Sequence, residues 1–387
     1  MNSSVNPFTP GYGGRPPYIA GRESERALYA ATLGTLAAGT LNSGIVMYGP
    51  RGMGKTTMLN WLEGQCREHG LTVTMTTPDE NGGLAIEDFF DLLPDRLKLD
   101  QVSVDGNVGV DFGLKAQATF KALWSSSKRK KPQRLKDHLV DACKQGPRAL
   151  LLDEAHTLNE TVCRGLLNTA QSVMKDAPFL LVLSGTPGLV PLLREVEATF
   201  IERSEHMSIG RLAPDASADA ICIPLRDAGI QIEPKALEQI IEDSQCYPYF
   251  LQLWGKALWD VAKKQGLQQL AHDDLSLAAP FIQKEKEGFY GRRYKALKKD
   301  KESLIAANAV GEAFKASAWQ PIDEDKIQNV IEESLVDKVV DDDARNAKAV
   351  ALADTLNDID YIWDPSGTCR MEPGIPSFMT YVMEKVS

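Results

Sequence analysis

The chain has no Cys-x-x-C pair. Its six cysteines, Cys66, Cys143, Cys163, Cys222, Cys246 and Cys369, are scattered over 387 residues. Such spacing excludes a zinc ribbon or a disulfide framework and predicts reduced, mostly buried thiols. No stretch approaches the roughly 18 consecutive apolar residues of a membrane span. The opening segment "MNSSVNPFTPGYGGRPP" is polar and rich in Pro and Gly, without the apolar core of a secretory leader. The expectation is a cytoplasmic protein with no membrane contact. A basic excess is also missing: 43 Lys and Arg stand against 53 Asp and Glu, a net charge of −10. The imbalance is local. Residues 300–387 hold 8 Lys and Arg against 18 Asp and Glu, so the whole acidic excess lies there.

What is present is glycine in a particular place. "YGPRGMGKTTML" (Tyr48–Leu59) follows the apolar run Ile45-Val46-Met47. Gly49, Gly52, Gly54, Lys55 and Thr56 fit G-x-x-x-x-G-K-[ST], between a strand and the start of a helix expected over Lys55 to about Gln65. Glycines let several backbone N–H groups turn inward toward a phosphate, and the helix dipole adds to the attraction. The loop residues Gly49, Pro50, Arg51, Gly52, Met53 and Gly54, with Lys55, Thr56 and Thr57, are therefore candidate nucleotide contacts. Lys55 would reach the β- and γ-phosphates, and Thr56 would offer its hydroxyl to Mg²⁺. A second motif supports the first. "RALLLDEAH" (Arg148–His156) is an apolar strand ending in two acids. Asp153 would hold Mg²⁺ and Glu154 would polarise the attacking water. The same letters suggest a helicase, but no other helicase motif and no second motor domain follow.

Along the chain, residues 1–17 read as an extended arm. "YIAGRESE" then opens a helix to about Ala38, with Gly21 and Arg22 placed to lie over a nucleotide base. Strands are expected at Leu71–Thr76, at the Asp153 run and within Pro178–Leu189, and a short one at His206–Gly210. Helices are expected at about 86–97, 133–144, 160–175 and 189–197. Residues 100–131 look like an insertion: a hairpin around Asp105-Gly106-Asn107, then the basic run Lys128–Lys131. The strand and helix alternation gives an α/β sandwich with a parallel five-stranded sheet over residues 18–212. Residues 213–293 read as an all-helical lid, with helices near 216–228, 234–243, 249–264 and 274–289. Residues 294–387 follow with helices near 299–310, 323–330 and 344–357, then a Pro-rich hairpin and a short helix, a winged-helix-like order.

These motifs, with "LSGTPGL", "FIERS" and the lid segment "YPYFLQLWGKALWD", resemble bacterial AAA+ ATPases of the origin-recognition-like group, with features of STAND and transposition-regulator ATPases. The resemblance covers about residues 5–290. It implies a P-loop AAA+ core with ATP and Mg²⁺ as cofactors. It also implies a sensor-1 polar residue at Ser184 or Thr186, and an arginine finger at Arg203 with Arg194 as runner-up. The lid arginine usual in origin-recognition ATPases is missing from "SQCYPYFLQ". Pro248 resembles the G-x-P lid motif of STAND ATPases, with Cys246 where glycine is usual. That departure implies slow hydrolysis and use of bound nucleotide as a switch.

Two functions follow. In the first, an ATP-dependent homo-oligomer acts as a nucleotide switch on a protein partner, bound through the acidic C-terminal domain. The exposed-looking segment Tyr361–Phe378 would be its contact surface. In the second, the chain is a DNA-binding AAA+ ATPase: a replication initiator, helicase loader or transposition regulator. Its support is the family resemblance and the winged-helix-like order; on the first reading, any DNA affinity would come instead from Lys128–Lys131 and Arg292–Lys299, because 18 acids in the C-terminal region repel a duplex.

Overall fold

The computed structural model describes residues 5–11, 14, 16–39, 43–84, 92, 132–365 and 367–386. The expected helix near 86–97, the hairpin and the Lys128–Lys131 run lie outside the described residues, apart from Leu92. Packing divides the chain into two units. An α/β unit comprises residues 23–48 and 55–207. A helical unit comprises residues up to Arg22, the loop Gly49–Gly54 and Ser208 onward.

The α/β unit contains α1 (Glu23–Ala37), β1 (Ile45–Tyr48), α2 (Lys55–Glu68), β2 (Thr72–Thr76), α3 (Pro132–Cys143), β3 (Arg148–Leu152), α4 (Glu160–Met174), β4 (Phe179–Gly185), α5 (Leu189–Glu202) and β5 (Glu205–Ser208). The strands form one sheet in the order β2-β3-β4-β1-β5. The pairs β2/β3, β3/β4 and β4/β1 run parallel. Strand position follows sequence. β1, β3 and β4 are buried along their whole length, as a parallel sheet covered on both faces requires, and they read as continuous apolar runs. The edge strands β2 ("TVTMT") and β5 ("EHMS") each bury one residue fully, Val73 and Met207.

Among the described residues of this unit, helix boundaries lie within a few residues of expectation, with one informative difference. The helix expected to end at Glu197 continues to Glu202 across a kink, where Glu197 takes φ −158° and ψ 80°. The Arg164 guanidinium donates to the Val196 carbonyl (2.5 Å), capping the helix just before the kink. Residues beyond it carry Arg203 at the helix C-terminus.

Cys66, Cys143 and Cys163 are buried in this unit. Burial pushes Cys66 and Cys163 up to about 12 and Cys143 up to about 11, from an ordinary value of 9.0. Above pH 9 the unfolded chain releases these protons while the folded one retains them, so stability is lost as pH rises from 9. Tm should therefore fall by several degrees per pH unit between pH 9 and 11. A Cys66→Ala, Cys163→Ala variant should show a flatter decline in thermal melts. An unchanged slope would contradict the assignment to these thiols.

The helical unit contains α6 (Pro214–Asp227), β6 (Gln231–Ile232), α7 (Pro234–Ser244), α8 (Pro248–Gln265), β7 (Gln269–Leu270), α9 (Leu275–Leu297), α10 (Lys301–Ala316), β8 (Ile322–Asp323), α11 (Glu324–Ser334), α12 (Asp342–Asp358), β9 (Ile362–Trp363), β10 (Arg370–Pro373) and α13 (Pro376–Val386). Proline opens α6, α7 and α8, where its missing N–H costs nothing. The N-terminal arm packs on α8. Phe8 is 3% exposed and occupies the space a side chain at Gly255 would fill, and Asn6 Nδ2 bonds the Lys256 carbonyl and Asp260.

The C-terminal module runs helix, strand, helix, helix, strand, strand, with an antiparallel sheet in the order β8-β10-β9. Aromatic rings join it to α9: Tyr290 stacks on Phe378 at 5.6 Å and its hydroxyl donates to Ser377 at 2.7 Å. One expectation fails here. The 361–378 segment is not an exposed contact surface. Tyr361, Ile362, Trp363, Met371, Ile375 and Phe378 are all buried. Two short strands give such a module little core unless their apolar side chains turn inward, and among the described residues of the segment only the tip Gly367–Arg370 is exposed.

Candidate functional site

In the α/β unit, parallel topology brings the acids and the phosphate helix together. β4 lies between β1 and β3. Register aligns Met47 with Ser184, and Leu152 with Leu183, so Asp153 leaves β3 level with Ser184. Asp153 is the hub. Its Oδ2 accepts from Thr56 Oγ1 at 2.6 Å, and its Oδ1 accepts from Ser184 Oγ at 2.9 Å and from the Glu154 N–H at 3.0 Å. Asp153 is 4% exposed and Ser184 is wholly buried. A carboxylate so far from water requires this many donors. Lys55, at the first position of α2, is also buried.

Ser184 and Thr186 are equal candidates by sequence. Ser184 is the one whose hydroxyl meets Asp153. The Thr186 backbone N–H donates to His156 Nδ1 at 3.4 Å. The other ring nitrogen, Nε2, lies 3.6 Å from Glu154 Oε2. Glu154 itself stands in the left-handed region, φ 51°, at the start of a 3₁₀ turn over Ala155–Thr157. An L-residue held there is a strained one, and such strain gathers at working sites. The sequence alone does not single out His156. Its signal is its place two residues after the acid, where the 3₁₀ turn folds it back.

Among the described residues no cluster of three or more His, Cys, Asp or Glu could hold a metal. Thr56 Oγ1 and Asp153 Oδ2 are two hard oxygens in hydrogen-bond contact.

In the helical unit, the loop Gly49–Gly54 is gripped by side chains. Gly52 and Gly54 take φ +88° and +94°, which L side chains rarely adopt. Arg22, 7% exposed, donates to the carbonyls of Met53 (3.2 Å) and Gly210 (2.6 Å). Of the arm residues Gly21 and Arg22, Arg22 is thus the one shown bonding loop backbone. Tyr247 Oη donates to the Arg51 carbonyl, and the Arg51 N–H donates to Asp360 Oδ2 at 3.4 Å. Pro248 is the first residue of α8, and the preceding Gln245 and Cys246 take φ 51° and 59°. That conformation is the physical reason glycine suits position 246.

Arg203 and Arg194 are both exposed, and neither side chain has a hydrogen bond or ion pair among the described residues. In the basic stretch, Arg292, Lys295, Lys298 and Lys299 are exposed. Arg293 is not available to a duplex: it sits over the Phe289 ring at 4.2 Å and pairs with Asp360 at 3.7 Å.

Residues 41–193 match the family described as AAA domain. No curated protein matches the chain. A Walker-type ATPase of Pyrococcus abyssi superposes with TM-score 0.59 at 14% identity, over 94% of this chain and 96% of that one. The ORC2 protein of Aeropyrum pernix superposes in its ADPNP–ADP complexes with TM-score 0.54 at 15% identity over 97% of both chains, and in its ADP form with TM-score 0.53. Sheet order, site geometry and these likenesses agree on an α/β fold of the P-loop AAA+ type, with an AAA domain match over residues 41–193.

Proposed function

We propose that the chain is a Mg²⁺-dependent ATPase of the AAA+ origin-recognition type that works on DNA. The observation that carries the ATPase reading is Asp153 joined at once to Thr56 and Ser184. Loop 49–54 and Lys55 would bind the β- and γ-phosphates. Thr56 and Asp153 would hold Mg²⁺, which offsets phosphate charge when bound. Ser184 keeps the Asp153 carboxylate oriented. Glu154 accepts a proton from, or orients, the attacking water, and His156 stands beside its carboxylate. An exposed Arg203 without an internal partner among the described residues suits a finger reaching the neighbouring subunit of an ATP-dependent oligomer.

The DNA reading draws support from the fold likeness to ORC2 over nearly the whole chain and from a C-terminal element order that resembles a winged helix. The partner-switch reading keeps one observation in its favour, the acidic C-terminal module. Duplex binding at stepped salt separates them. On the DNA reading, affinity falls steeply with salt. Replacing Arg292, Lys295, Lys298 and Lys299 by Ala then lowers the log–log slope by about 0.9 for each phosphate no longer neutralised. Absence of salt-dependent binding would return the switch on a protein partner as the better reading.

A further inference from the structure

Asp360 is an expensive residue for its position. It follows the C-terminus of α12 in a Schellman arrangement: the Asp360 N–H bonds the Asn357 carbonyl at 3.0 Å and the Tyr361 N–H bonds the Leu356 carbonyl at 2.9 Å. That position demands φ > 0, and Asp360 has φ 60°. Glycine is the usual occupant and asparagine the next. The side chain is also 4% exposed, so a charge is both strained in backbone and removed from water. Asparagine would tolerate the backbone better and would still accept from the Arg51 N–H. The negative charge is what Arg293 requires.

Arg51 and Arg293 belong to the same helical unit as Asp360 and lead to the phosphate loop. Oδ2 takes the Arg51 N–H at 3.4 Å and lies 3.7 Å from Arg293 Nη2. Arg293 is fixed on α9 by the Phe289 ring, which stacks on Tyr249 at 5.0 Å. Tyr247, two residues before Tyr249, holds the Arg51 carbonyl. Arg51 of the loop is thus gripped on its N–H by the C-terminal module and on its carbonyl by the start of α8.

We propose that the Asp360–Arg293 pair is a nucleotide-sensitive latch through which the C-terminal module reads the occupancy of the phosphate loop. The inference rests on the reading of loop 49–54 as the phosphate site. Polyphosphate charge at that loop repels the Asp360 carboxylate and attracts the Arg293 guanidinium. Both forces loosen the same ion pair, and the low local dielectric strengthens them. Linkage makes the effect reciprocal: an intact latch weakens nucleotide binding by the factor with which nucleotide weakens the latch.

The test compares the full-length wild type with Asp360→Asn and Asp360→Gly. Both substitutions suit φ 60°, so loss of folding is not the expected outcome. ATP and ADP affinities are measured by titration with Mg²⁺, and amide exchange is followed over residues 301–386 with and without nucleotide. Wild type should exchange faster near residues 356–363 when nucleotide is bound. Asp360→Asn should bind nucleotide about tenfold more tightly and show no nucleotide-dependent change in that segment. Equal affinity with the exchange response intact would overturn the latch alone, and so would weaker binding by Asp360→Asn. A wild type that binds no nucleotide would overturn the phosphate-site reading and the latch together.

Discussion

Glu154→Gln is expected to lower ATP turnover by about 10²- to 10³-fold at saturating ATP while affinity stays within about threefold. A positioned general base contributes roughly that factor. Gln has the shape of Glu and keeps the left-handed backbone at φ 51°, so the site stays assembled. What disappears is the carboxylate that takes up or orients the water proton. The contacts that tie α2 to the end of β3 and to β4 run through Asp153, Thr56 and Ser184 instead. Steady-state hydrolysis and a direct binding titration on the same preparation check the two halves of the statement. Near-normal turnover would mean another group handles the water.

Arg203→Ala should reduce turnover by about 10³-fold without weakening nucleotide binding, the size of effect an arginine supplied across an interface produces. Arg203 caps the second segment of α5, beyond the kink at Glu197, and it is exposed. An internal ion pair would have used that charge, and none is formed among the described residues. Lys55→Ala, by contrast, removes phosphate binding and leaves its own Arg203 intact. Mixing the two inactive variants should restore activity, because each supplies what the other lacks. Absence of rescue at every mixing ratio, with both variants folded, would rule out a shared site. If Arg194→Ala shows the loss and Arg203→Ala does not, the finger is one helix segment earlier.

Much of the α/β unit was legible because its signals are local. A buried central strand is a continuous apolar run, and Ile45–Met47, Ala149–Leu152 and Phe179–Leu183 are such runs. The phosphate loop declares itself through glycines whose φ values no other residue adopts easily. The choice between Ser184 and Thr186 was not legible, because strand register decides which hydroxyl meets Asp153. The acids of the C-terminal region also changed meaning. They read as a repelling cluster, yet Asp300 and Asp341 each cap a helix start, and Asp342 sits in the first turn paired with Arg345. Negative charge is favourable at such helix termini. Burial of the 361–378 segment was hidden because proline and glycine mask a core whose apolar residues come from several elements. Asp360 was hidden for a different reason: its partners, Arg51 and Arg293, lie about 309 and 67 positions away in sequence.

The central proposal is that the chain binds ATP with Mg²⁺ and needs Lys55 to do so. Calorimetric titration of ATP into wild type and Lys55→Ala, each with Mg²⁺ and with a chelator, tests it most directly. The account predicts saturable binding to wild type that weakens when Mg²⁺ is removed, and no measurable binding to Lys55→Ala. Equal ATP affinity in the two proteins, or none in a folded wild type, would contradict it.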